Sequence, residues 1–127
     1  MKKRTTHNQC PCGSDLSLED CCQPFISRTA SAPTAEALMR SRYTAYCLGN
    51  IEYLLSSWHP STRPEKLDLE DDKTQWIRLK IIDSTNNSVE FIATYRLKGK
   101  AHKLHETSRF IFENSNWFYV DGDSHAT

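Results

Sequence analysis

The sequence predicts an α+β domain preceded by a small metal-held knuckle. Four of the five cysteines fall within thirteen residues near the N-terminus. Apolar residues at helical spacing follow between residues 34 and 59. From Trp76 onward the period changes to two, with turn residues between the runs. Helices first and hairpins after place the helices on one side of an antiparallel sheet.

A chain of 127 residues is one domain with at most a small appendage. The division read here is a knuckle over residues 1–25 and a body over 26–127. Lys plus Arg and Asp plus Glu are 16 each, so the net charge is zero. This balance gives no general reason to bind nucleic acid or an anionic membrane. Lys2-Lys3-Arg4 is followed by polar residues rather than an apolar run, so no secretion signal is read. No apolar run approaches the roughly 20 residues that span a bilayer. The expected location is the cytoplasm, where reducing conditions favour metal-bound thiolates over disulfides.

The knuckle is Cys10-Pro11-Cys12-Gly13-Ser14 and, eight intervening residues after Cys12, Cys21-Cys22. Four soft donors suit a tetrahedral Zn2+ site, closed and structural, with no position open for catalysis. Pro11 stiffens the turn and Gly13 lets the chain reverse. Leu16 and Leu18 are candidates to cover one side. Neighbouring residues diverge in direction, which counts against Cys22, and His7 is the obvious substitute. The competing readings are a redox disulfide and idle thiols, and an adjacent Cys-Cys pair is a strained bridge. Cys47, inside a predicted helix, reads as a small buried hydrophobe. The cysteine spacing resembles the SEC-C zinc motif, which implies a zinc-dependent protein-docking element.

Residues 23–33, with Pro24 and Pro33, read as a linker. Thr34 is a fair N-cap, with Glu36 in the first turn. Ala35, Met39, Tyr43 and Tyr46 form one stripe with Leu38 beside it, while Arg40 and Ser41 face away. Gly49 ends this helix. Asn50 caps a second, with Ile51, Leu54, Leu55 and Trp58 on its buried side, closed by His59-Pro60. Arg42, at the margin of the stripe, either lays its stem along the core edge or reaches into a cavity. His59 either caps the second helix or faces a pocket.

Leu38-Met39-Arg40-Ser41-Arg42-Tyr43 and Trp58-His59-Pro60-Ser61-Thr62 resemble the YchJ-like family. Glu106 with Ser108-Arg109-Phe110, and Tyr119-Val120-Asp121-Gly122, match it too. The resemblance implies a SEC-C motif followed by a domain similar to nuclear transport factor 2, a cone with helices on a curved antiparallel sheet. It implies no settled activity. Longer members carry a second SEC-C motif at the C-terminus, whereas this sequence stops at His125-Ala126-Thr127.

Pro64 to Leu67 suggests a short helix, and Glu70-Asp71-Asp72 a solvated turn. Ile77, Leu79 and Ile81 alternate with Arg78 and Lys80 in a first strand. A second puts Val89, Phe91, Ala93, Tyr95 and Leu97 on one face. A third runs from about His102 to Glu113 and a fourth from Trp117 to Val120, ended by Asp121-Gly122. In the third, Leu104, Glu106, Ser108, Phe110 and Phe112 share a face. A carboxylate on that face must be paired or protonated if buried. Arg42 and Arg78 are the candidate partners, a structural ion pair at the sheet rim or a core face that becomes solvent-exposed near Leu104 is the plainer reading, and Trp58, Tyr43 and Tyr95 are candidate cavity walls.

Two function classes therefore compete. One is a zinc-folded knuckle docking to a cytoplasmic protein or ribonucleoprotein, with the body as a rigid base and a possible homodimer surface. The other is a small-molecule binder or enzyme built on Glu106 with Arg42 or His59, no catalytic residue being assigned. A redox thiol pair is a third reading. Nucleic-acid binding by the knuckle lacks support, because Asp15, Glu19 and Asp20 lie where basic residues would be needed.

Overall fold

The computed structural model describes residues 9–69 and 73–125. His7 and Glu70-Asp71-Asp72 lie outside the described residues. The elements are α1 (Gln23–Ile26), α2 (Ala35–Leu48), α3 (Ile51–Ser56), β1 (Gln75–Ser84), β2 (Ser88–Leu97), β3 (Lys100–Glu113) and β4 (Asn116–Ser124).

Capping chemistry sets the helix ends. Thr34 accepts from the Ala37 N–H, Glu36 sits in the first turn, and Gly49 at φ 74° closes α2. Asn50 accepts from the Tyr53 N–H to open α3. The linker expected at 23–33 instead begins with the single helical turn of α1, which carries Pro24 in its first turn and buries Ile26. Helix α3 stops at Ser56, earlier than His59-Pro60 implied. The backbone there turns to pair with β4, through Tyr119 N–H to Ser57 O at 2.9 Å and His59 N–H to Tyr119 O at 2.8 Å. Residues 64–67 form no helix. Leu67 and Leu69 both pack on the core, a spacing of two that suits extended chain.

The four strands form an antiparallel meander in the order β1-β2-β3-β4. Two hairpins turn on two-residue loops with left-handed backbone, Lys98-Gly99 and Asn114-Ser115, the geometry that matches strand twist. Irregularities between Trp76 and Arg78, between Ile81 and Asp83, and between Arg109 and Phe110 bend the sheet. The first also resets the alternation of β1. Trp76, Leu79 and Ile81 face the helices, while Ile77 is 43% exposed. The last carries β4 on to Ser124, so Asp121-Gly122 does not end it. Phe112, expected on the core face, is exposed beyond the core rim and packs on Trp117.

Helix α2 is buried on nearly every side. Arg40 and Ser41 do not face solvent as the stripe implied. Ser41 is fully buried, donates to Leu38 O at 2.9 Å and bonds the Tyr53 hydroxyl at 2.7 Å. The knuckle cysteines belong to the same core cluster as Leu38, Tyr43, Leu54, Phe91 and Phe110. Among the described residues, no helix is long and apolar enough to cross a membrane. Leu54 is fully buried at the centre of this core. Leu54→Ala is therefore expected to cost about 2–5 kcal/mol in urea unfolding. Ile77→Thr should cost under about 0.5 kcal/mol, and comparable losses would refute the reset register of β1.

Candidate metal centre and cavity

The N-terminal chain pairs Gln9 with Ser17, and Cys10 N–H donates to Leu16 O at 2.8 Å. Gly13, at φ 86°, supplies the reversal between them, close enough to β1 that a Cβ there would meet Leu79 O at 3.4 Å. Successive turns then bring the chain back, with Cys21 N–H donating to Leu18 O and Gln23 N–H to the same oxygen. Those turns, and the start of α1 at Cys22, give the adjacent cysteines convergent sulfurs despite their neighbouring positions. The Sγ atoms of Cys10, Cys12, Cys21 and Cys22 all lie within 4.8 Å of one another. The Cys12–Cys21 separation is 3.7 Å and Cys21–Cys22 is 3.9 Å. A disulfide needs about 2.05 Å, and all five cysteines are free.

Polar groups surround the sulfurs. Ser14 Oγ lies 3.1 Å from Cys21 Sγ. Thr44 Oγ1, from α2, is 3.4 Å from Cys22 Sγ and 3.5 Å from Cys10 Sγ. Arg40 Nη1 donates to Cys12 O at 2.9 Å and to Cys12 Sγ at 3.8 Å, while its Nε holds Glu36 at 3.1 Å. Hydrogen bonds from Cys10 and Cys22 hold Cys12 far below an ordinary thiol, and hydrogen bonds with Cys10 and Cys12 push Cys22 up. Burial pushes Cys21 up to about 11. The Cys12 thiolate thus forms readily while Cys21 and Cys22 resist, and a bound cation would favour their ionisation. The donor set and spacing fit a metal ion. Cys47 stands apart, partly buried and pushed up to about 11 by burial. Leu18 packs on the core, whereas Leu16 is 52% exposed and covers nothing.

On the opposite side of α2 lies a cavity of about 230 Å³ between the helix and the sheet. Five predicted residues line it: Arg42, Tyr43, Trp58, Glu106 and Ser108. Tyr46, Trp76 and Tyr119 add walls that the sequence did not mark as such. The register explains the polar pair on β3. Glu106 opposes Phe91 and Ser108 opposes Val89, on the face that packs against the helices. Trp58 is carried there by the parallel bridge to Tyr119, and their rings meet edge to face at 5.1 Å. His59 turns away from the cavity. Its ring bonds Glu113 at 2.7 Å and Ser61 at 2.8 Å. Tyr95 does not line the cavity but packs on Trp76 at 5.4 Å.

Arg42 is 4% exposed. Its Nη1 donates to Leu54 O and to Ser57 Oγ, both at 2.7 Å. The guanidinium carbon stands 4.6 Å from the Tyr119 ring centre and 5.1 Å from that of Trp58. Burial pushes this cation's pKa down, and the groups that work against burial are the phenols of Tyr46, Tyr119 and Tyr53. The expected ion pair with Glu106 is not formed. Glu106 instead rests against Gly122, its carboxylate oxygen filling the space a Cβ there would need. Burial first, then the charge of Asp123, push its carboxyl above the ordinary value of 4.5.

On the outer face of the sheet His105 Nε2 bonds Glu90 at 2.8 Å, and the His105 and His125 rings stack at 4.3 Å. Arg109 holds Asp121 and Asp123 beside them, at 2.7 Å each.

A family model described as YchJ, middle NTF2-like domain, matches residues 34–122. A UPF0225 protein of Cupriavidus metallidurans is 48% identical over 90% of this chain and 87% of its own length. A UPF0225 protein of Streptomyces coelicolor is 47% identical, over 90% and 94%. The solution structure of a SEC-C motif containing protein from Rhodopseudomonas palustris superposes with a TM-score of 0.82 at 32% identity, covering 92% of this chain and 98% of that one. The crystal structure of a SEC-C motif containing protein from Psychrobacter arcticus gives 0.70 at 26%, covering 93% and 83%.

Because the folded state raises the Glu106 pKa, it holds that proton more tightly than the unfolded chain does. Stability contributed at this site therefore falls as pH rises from 4.5 through the raised value. The melting temperature of the wild type, measured relative to Glu106→Gln from about pH 4 to about pH 7, is expected to drop across that window. Parallel curves would contradict a desolvated carboxyl.

Proposed function

The chain belongs to the YchJ-like family, and on that premise we propose that it is a zinc-stabilised binding module. A tetrahedral Zn2+ with Zn–S bonds of about 2.3 Å sets sulfurs about 3.8 Å apart, which agrees with the 3.7 and 3.9 Å separations of the cluster. Cys10, Cys12, Cys21 and Cys22 would hold it. Four thiolates and a dication leave a double negative charge, toward which Arg40 places its guanidinium. Four protein donors fill the coordination shell, so the ion's work is structural.

The knuckle docks to a cytoplasmic protein or ribonucleoprotein. The observation that carries this is Leu16, 52% exposed on the arm of the knuckle that pairs with Cys10. Exposed Asp15, Glu19 and Asp20 lie near it in sequence, an apolar contact with acidic neighbours that selects a partner with a basic edge. The likeness to proteins described as SEC-C motif containing supports the same reading. A second reading is favoured by Arg42, a buried cation with no carboxylate partner among the described residues: the cavity beside it holds a small molecule.

Metal analysis should find one zinc per chain, lost in Cys12→Ser and kept in Cys47→Ser. Deleting the knuckle would also strip cover from α2, so the docking test uses a point change. Leu16→Ser is expected to keep its zinc and melting temperature and to lose at least tenfold in affinity for a partner identified by crosslinking to the wild type. Unchanged affinity would overturn the docking face.

A further inference from the structure

We infer that the cavity between α2 and the sheet is a site for a small organic monoanion, a carboxylate with a flat apolar or aromatic body, received head-first by Arg42. This rests on the second reading above and adds the chemical class of the occupant.

The inference begins with a charge that the fold leaves unbalanced. An arginine keeps its proton in proteins, and Arg42 is buried. Taking such a cation out of water is costly unless an opposite charge lies beside it. Among the described residues Arg42 forms no ion pair with a carboxylate, and the groups that steady it are phenols. Its structural duty, holding the C-terminal end of α3 through Leu54 O and Ser57 Oγ, is met by Nη1. A helix C-terminus offers a cation partial negative charge, which offsets part of the burial cost and not a full unit. The missing partner is an anion, and the cavity is where one can enter.

Shape and polarity narrow the anion. The volume of about 230 Å³ lies below the roughly 300–1,000 Å³ of sites for drug-sized ligands. The occupant is therefore small, and a long acyl chain does not fit. The walls are ring faces and edges from Trp58, Trp76, Tyr43 and Tyr119, which favour a flat body over a sugar or a polyol. Besides the tyrosine phenols, the other polar side chains are the Ser108 hydroxyl and the Glu106 carboxyl. Phosphoryl recognition draws on several cations or a row of backbone N–H groups. Here one guanidinium faces a carboxyl across aromatic walls, so a phosphate dianion would stay undercompensated and a monocarboxylate would not.

The test uses the zinc-loaded full chain and a pair of probes that differ in one charge, phenylacetate and phenylacetamide. The readout is the indole N–H resonances of Trp58 and Trp76, which line the cavity, against that of Trp117, which does not. Phenylacetate is expected to shift the first two saturably and leave the third unmoved. Phenylacetamide should bind at least tenfold more weakly, and inorganic phosphate should produce no shift. Glu106→Gln, which removes the competing charge, should bind phenylacetate as tightly as the wild type or more so. Equal binding of acid and amide would overturn the anion assignment and leave the cavity reading standing. A saturable shift with phosphate would overturn the commitment to a carboxylate. No shift of Trp58 or Trp76 with any probe at millimolar concentration, together with no small-molecule adduct on the native protein in mass spectrometry, would overturn the cavity reading as well. The wild-type comparison of acid with amide needs no variant, so it stands even where Arg42→Gln fails to fold.

Discussion

Helix α2 must satisfy a polar group on every side, and the rest of the structure is arranged around that constraint. Arg40 reaches the knuckle and donates to Cys12. Ser41 bonds Tyr53 of α3. Arg42 points to the cavity, and Thr44 lies against the sulfurs of Cys10 and Cys22. No buried side-chain nitrogen or oxygen among the described residues lacks a hydrogen-bond partner. An unpaired group in such a place costs about 1–3 kcal/mol, more when charged. The knuckle, α3 and the sheet are therefore held to one register by the polar face each must offer the helix.

Magnitudes say which of these contacts matters most. Structural zinc in small domains contributes an apparent binding free energy of about 10–16 kcal/mol. The whole net stability of a domain is about 5–15 kcal/mol. A knuckle of some twenty residues cannot build a core alone, yet here its cysteines lie inside the core of the body. On the proposed zinc reading, metal binding and body packing would be a single energetic event, linked through Arg40 and Thr44. The two arginines of α2 share a further logic. Arg40 lies beside the thiolate charge, whereas Arg42, two residues on, has aromatic rings and neutral oxygens around it.

Features set by local chemistry were legible in the sequence. The cysteine spacing, the Thr34 and Asn50 caps and Gly49 identified the cysteine cluster, the starts of α2 and α3 and the end of α2. The parity of β3 correctly put Glu106 and Ser108 on the face with Phe110. Whatever depended on a distant partner was not legible. A bulge reversed Ile77 and Trp76, because one extra residue flips every side chain after it. Ser41 looked outward because its partner, Tyr53, is reached only once α3 folds back. His59 found Glu113, fifty-four residues away, rather than a cavity. Tyr119, which carries both Trp58 and the Arg42 contact, was matched only as part of a family motif, and nothing in its short apolar strand pointed to the cavity.

The central claim is that the metal site and the cone fold as one unit through α2. Amide hydrogen exchange, followed residue by residue by NMR with zinc bound and after its removal by a chelator, tests it directly. The account predicts that protection falls together in the knuckle and along α2, including the amides of Arg40 and Thr44. Loss confined to the knuckle, with α2 amides as protected as before, would contradict it and make the knuckle an independent appendage.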